Sequence, residues 1–123
     1  VEENIKICSS SDITPGKALN GDELAMIKHV ADTLNKRILV GCTACNYYMP
    51  CPAGVNIPEC FAIYNLSGSA APSAESTAKA QYKEIKEKGE DASKCISCMA
   101  CVSQCPQSIP VPDRLAELDK ILS

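Results

Sequence analysis

Cys95-Ile96-Ser97-Cys98-Met99-Ala100-Cys101-Val102-Ser103-Gln104-Cys105-Pro106 reads C-x2-C-x2-C-x3-C-P without a gap. Three thiolates spaced three residues apart wrap a tight loop around one iron–sulfur cubane, with backbone amides pointing at the sulfides. The added residue and Pro106 then turn the chain away, sending the fourth cysteine toward a different cluster. A zinc site usually draws on two separated CxxC or His pairs around one ion. Four cysteines within 11 residues, closed by a proline, fit that poorly.

Working outward, the motif has a copy. Placing Cys42-Thr43-Ala44-Cys45-Asn46-Tyr47-Tyr48-Met49-Pro50-Cys51-Pro52 over residues 95–106 aligns Cys42 with Cys95 and Cys45 with Cys98. With one deletion, Cys51-Pro52 aligns with Cys105-Pro106, and each copy then reaches an Ile-Pro, at Ile57-Pro58 and Ile109-Pro110. Two such motifs describe a two-cluster protein with pseudo-twofold symmetry. By the exchange rule one cluster takes Cys95, Cys98, Cys101 and Cys51, while the other takes Cys42, Cys45 and Cys105 and needs one more ligand.

Tyr48 stands where the repeat demands the counterpart of Cys101. Three readings stay open for that site: a three-iron cluster, a four-iron cluster with a non-Cys ligand, or no cluster. Cys60, nine residues past Cys51, is either a substitute ligand or a small buried hydrophobe, as free cysteines commonly are. Cys8 has no partner pattern and reads as an ordinary thiol.

Composition narrows the class. The chain has 123 residues, too few for a multidomain enzyme, and a net charge of −3 with no long block of either sign. Nucleic-acid binding normally needs a basic stripe, so that class is disfavoured. No stretch approaches the roughly 18 consecutive apolar residues of a membrane span. The opening Val1-Glu2-Glu3-Asn4 lacks a basic and apolar leader, and a cytoplasmic location is expected. It also lacks an initiator Met, suggesting a piece of a longer chain.

The 46% hydrophobic fraction includes 14 Ala and nine Cys, with one Phe and no Trp. So thin a supply of large apolar side chains implies that something else helps fill the interior. An odd cysteine count without export signals argues for metal over a pure disulfide framework.

The rest reads as helices. Residues 1–18, ending in Thr14-Pro15-Gly16, are expected to be irregular, with a helical domain over 19–123. Asn20-Gly21-Asp22-Glu23 is a capping box, and Leu24, Ile27, Val30, Ala31 and Leu34 form one helix face to about Arg37. His29, beside that face, reads as a surface residue. Further helices are expected from Glu59 to about Leu66, from Ala74 to Lys88 with Gly89 as a stop, and from Pro112 onward. No segment shows convincing strand alternation. The expected fold is all-α, with two Cys-rich loops between helices.

The 43 residues between Cys51 and Cys95 are helical in character, whereas a compact βαββαβ ferredoxin would place its second motif sooner and connect with strands. The chain resembles the α-helical ferredoxin fold. More specifically, it resembles the C-terminal iron–sulfur domain of bacterial and archaeal aldo/keto reductase family proteins. Val1 to Ile5 look like that family's exit from its catalytic barrel, and Leu19 to Glu23 match its helix opening. Cys42 to Pro58, followed by Tyr64-Asn65, match its signature, except that the family has Cys where Tyr48 stands.

The resemblance implies a nicotinamide-dependent reductase barrel N-terminal to this segment, residues 1–18 being the linker from it. The barrel and an external electron carrier are then the partners. The expected role is an iron–sulfur, most simply [4Fe-4S], electron-transfer module of an oxidoreductase, not catalytic alone. The alternatives are a structural iron–sulfur domain without redox turnover and a zinc-stapled interaction module.

Overall fold

A computed structural model describes residues 1–11, 16, 17 and 19–123. Its helices are α1 (Glu2–Cys8), α2 (Gly21–Asn35), α3 (Ile57–Ser67), α4 (Ala74–Lys88), α5 (Ala100–Gln104) and α6 (Val111–Leu122), with a 3-10 turn at Ala92–Lys94. No strand occurs among the described residues, so the fold is all-α as expected. The chain divides into two compact units, Val1–Lys36 and Arg37–Ser123.

The first unit holds α1 and α2. Glu2–Cys8 is helical where the sequence reading expects irregular chain; two acidic residues in its first turn and Lys6 in its last suit the helix dipole. Of the expected Thr14-Pro15-Gly16 turn, Thr14 and Pro15 lie outside the described residues. In α2 the capping box forms: Asn20 Oδ1 accepts from the Glu23 amide at 2.9 Å, and Glu23 Oε2 from the Asn20 amide at 2.8 Å. Lys28 and Asp32 pair one turn apart at 2.7 Å. By packing, α1 and α2 fall in the same compact unit, which ends at Lys36.

The second unit is built on α3, α4 and α6. Asn56 caps α3 through the Glu59 amide at 3.4 Å, with Pro58 in its first turn. Gly89 ends α4 in the left-handed region at φ 72. Val55, Ile57, Phe61, Tyr82, Val111, Leu115 and Leu118 are buried together. Cys42, Cys51, Cys95, Cys101 and Cys105 pack partly buried against this core. A chain short of large side chains thus uses its thiols to finish the interior's edge.

Two polar devices hold the Cys segments to the helices. The Asn65 side chain accepts from the Leu39 and Val40 amides, both at 2.9 Å, and donates to Val40 O at 2.8 Å. This fastens the lead-in to Cys42 onto α3. Gly68 lets that lead-in pass: a Cβ there would meet Arg37 O at 2.9 Å and Leu39 Cγ at 3.0 Å. On the other side, the Asn56 amide donates to Glu90 O at 2.8 Å, joining the end of the first Cys segment to the approach of the second.

Candidate metal centre

The two Cys segments repeat in backbone conformation as well as in sequence. Every described non-glycine residue with positive φ falls within them: Ala44 (φ 51), Asn46 (φ 60), Ser97 (φ 51), Met99 (φ 65) and Ser108 (φ 52). Counted from the first Cys of each copy, Ala44 matches Ser97 and Asn46 matches Met99. Counted from Cys51 and Cys105, Gly54 (φ 78) matches Ser108. The hydrogen bonds match too. Met49 N donates to Asn46 O and Val102 N to Met99 O, both at 3.0 Å, while Gly54 N to Cys51 O (2.9 Å) answers Ser108 N to Cys105 O (3.1 Å).

Left-handed residues outside glycine cost of order 1–3 kcal/mol each and persist where surrounding structure enforces them. Alternation of right- and left-handed residues turns successive amides into one concavity, a device common to anion and iron–sulfur sites. One such amide already addresses a thiol sulfur, Ala44 N at 3.4 Å from Cys42 Sγ. Sequence reasoning did not single out Ala44, Asn46, Ser97, Met99 or Ser108. Their equivalence under the repeat is the signal that could have found them.

Tertiary packing crosses the copies. Cys51, from the first, lines one cavity of about 120 Å³ with Cys98 and Cys101 of the second, beside Tyr48, Pro50 and Ile57. The Cys101 thiol is pushed above its usual range by burial first, then by Cys95, Cys98 and Cys51. Cys105 goes the other way. The Tyr48 phenol is raised by burial first, then by Cys42, Cys105 and Cys45. The structure therefore brings together Cys51, Cys95, Cys98 and Cys101 as one set, and Cys42, Cys45 and Cys105 around Tyr48 as the other.

Tyr48 faces inward while Tyr47 faces out: their exposures are 8% and 70%. The Tyr48 hydroxyl stands 3.9 Å from Cys42 Sγ. Cys60 belongs to neither set. It is fully buried in α3, its Sγ donates to Glu90 O at 3.8 Å, and burial followed by Asp91 and Glu59 pushes its thiol up to about 12. Cys8 and His29 sit exposed on the first unit.

Donor chemistry decides what these sets suit. Seven soft thiols, with one amide already on the sulfur of Cys42, suit iron–sulfide centres. Among the described residues no three His, Cys, Asp or Glu side chains converge closely enough to hold a single ion. A cubane makes a different demand, one thiolate at each of four separate iron corners. Cys51, Cys95, Cys98 and Cys101 are four thiols, the number and kind a cubane takes; Cys42, Cys45 and Cys105 are three, with the Tyr48 phenol among them.

A family model described as a 4Fe-4S dicluster domain matches residues 40–109. That stretch contains both Cys segments, all seven thiols and α3 and α4 between them. Comparison with curated proteins and with solved structures returns no match.

Proposed function

From the premise that this chain belongs to the 4Fe-4S dicluster domain family, we propose that it is the electron-transfer module of an aldo/keto reductase family oxidoreductase. In this reading Cys51, Cys95, Cys98 and Cys101 hold a four-iron cluster, and Cys42, Cys45 and Cys105 hold a partner that is three-iron or labile in its fourth iron. Bound clusters of this kind supply one-electron transfer. The observation that supports the proposal is that Cys51 of the first copy lines one cavity with Cys98 and Cys101 of the second, while Cys105 of the second stands with Cys42 and Cys45 about Tyr48.

The chain's own residues do the rest. Partial burial of five of the seven thiols against the apolar core limits water, and amides such as that of Ala44 stabilise thiolate charge. Seven of the nine cysteines stand at cluster-ligand spacing, which suits a reducing compartment such as the cytoplasm. No described helix is long and apolar enough to cross a membrane. The parentage rests on the match of Cys42 to Pro58 to that family's signature. In this reading the reductase barrel precedes Val1, residues 1–18 link to it, and an external carrier completes the chain of transfer.

A second reading has support in the composition: thiols complete a core short of large apolar residues, so the clusters could serve as staples alone. Anaerobic reconstitution with iron and sulfide counting, followed by reductive titration of the visible absorption, separates the two. Reversible bleaching supports electron transfer; clusters that stay oxidised down to the limit of dithionite support the staple; zinc in place of iron refutes both. Purified alone, the chain should not reduce carbonyl compounds with a nicotinamide cofactor, and turnover by it would refute a separate barrel.

A further inference from the structure

Resting on that reading, we infer that Tyr48 is a built-in hydrogen-bond donor to the Cys42 thiolate, raising the potential of the Cys42, Cys45 and Cys105 centre. Three observations converge on it. Tyr48 occupies the repeat position of Cys101, so its side chain enters the site where a ligand would enter. It is buried, and its hydroxyl lies 3.9 Å from Cys42 Sγ. Cys42 Sγ also receives the Ala44 amide at 3.4 Å, so an amide and a hydroxyl both address one sulfur.

Either atom of the Tyr48–Cys42 pair could donate when Cys42 is a thiol. A ligating cysteine has lost its proton, which leaves the Tyr48 hydroxyl as the group of the pair with a hydrogen to give. The phenol is then the donor. Reduction adds negative charge that spreads onto the ligating sulfurs, and a hydrogen bond to sulfur stabilises that charge, moving the potential upward. A phenolate ligand would be a hard oxygen in a soft set. Donation through the retained proton is the better match to the residue, and it leaves the site with three thiolates.

The test compares wild-type chain with Tyr48→Phe, both reconstituted anaerobically and titrated with dithionite under electron paramagnetic resonance, which distinguishes the two centres. Phenylalanine keeps the ring and removes only the donor. The expected result is unchanged iron content and a tenfold lower reduced-to-oxidised ratio at the first centre at fixed potential, about 59 mV for one electron. The Cys51, Cys95, Cys98 and Cys101 centre should not move, and so serves as the internal control.

Full iron with both midpoints unchanged overturns the inference. Loss of iron from the first centre alone, with helical circular dichroism retained, also overturns it and makes Tyr48 a ligand. Wild-type chain lacking a first centre refutes the two-cluster reading itself, a failure visible before any variant is made. Should the Phe variant not fold, 3-fluorotyrosine at position 48, a stronger donor, should raise the same midpoint; an unchanged midpoint overturns the inference.

Discussion

The Tyr82 hydroxyl donates to Asp119 Oδ1 at 2.7 Å and accepts from the Ala92 amide at 3.2 Å. Through this one oxygen, α4 and α6 are tied to the 3-10 turn that delivers Cys95. Asp91, also buried, fixes the same turn by accepting from the Ser93 amide at 3.1 Å and from the Ser93 hydroxyl. Tyr82→Phe leaves the buried Ala92 amide without its partner, a loss of about 1–3 kcal/mol. Guanidinium denaturation of the reconstituted protein should show a lower midpoint, with the visible chromophore lost no later than the helices.

The same pair carries a pH dependence. Burial alone would raise the Asp119 carboxyl, but hydrogen bonds from Tyr82 and Ser123, together with Lys86 at 3.5 Å, outweigh it and lower it below its ordinary 3.8. A folded value below the unfolded one means stability that is present above about pH 4. It is lost as acidification passes through the folded value. The stability difference between wild type and Asp119→Asn should therefore be constant near neutrality and shrink below pH 4.

Adding the missing thiol should complete the first centre. Tyr48→Cys is expected to raise iron content toward two four-iron clusters, while Cys101→Ser impairs the second centre. Iron and sulfide counts with Mössbauer spectra check both, and unchanged iron in Tyr48→Cys would contradict the ligand assignment.

Cys60 should behave as a core residue. With its thiol pushed up to about 12 and fully buried, it should be the last of the nine cysteines alkylated in native apo-protein, after exposed Cys8 and Cys98. Cys60→Ala should leave iron content unchanged and cost about 1 kcal/mol for the void. Loss of iron would make it a ligand after all.

The repeat-equivalent positions Gly54 and Ser108 should respond in opposite directions. Nothing would touch a Cβ at Gly54, yet its φ of 78 disfavours any side chain; Gly54→Ala should destabilise by about 1 kcal/mol, and Ser108→Gly should be neutral or stabilising by less than that. Denaturation midpoints measured under one reconstitution protocol compare them.

What the sequence determined by itself is what depends on neighbours along the chain. Thiol spacing identified the cluster loops, and capping residues and Gly89 marked the ends of α2 and α4, because caps and tight loops are satisfied within a few residues. The repeat exposed Tyr48 as the odd member by simple register. Short α1 was not legible, since seven residues without a strong apolar period leave too little signal, and α5 lay hidden inside the Cys run.

Only tertiary structure decided the rest. That Cys60 is fully buried, with its thiol on Glu90 O 30 residues away, could not be read from its place in the sequence. That the Tyr48 hydroxyl comes within 3.9 Å of Cys42 Sγ depended on how the loop packs against the core. Those outcomes follow from long-range burial and desolvation, which no local spacing encodes. That Cys51 of one motif lines a cavity with Cys98 and Cys101 of the other follows from the core shared by α3, α4 and α6, against which Cys51 and Cys101 pack.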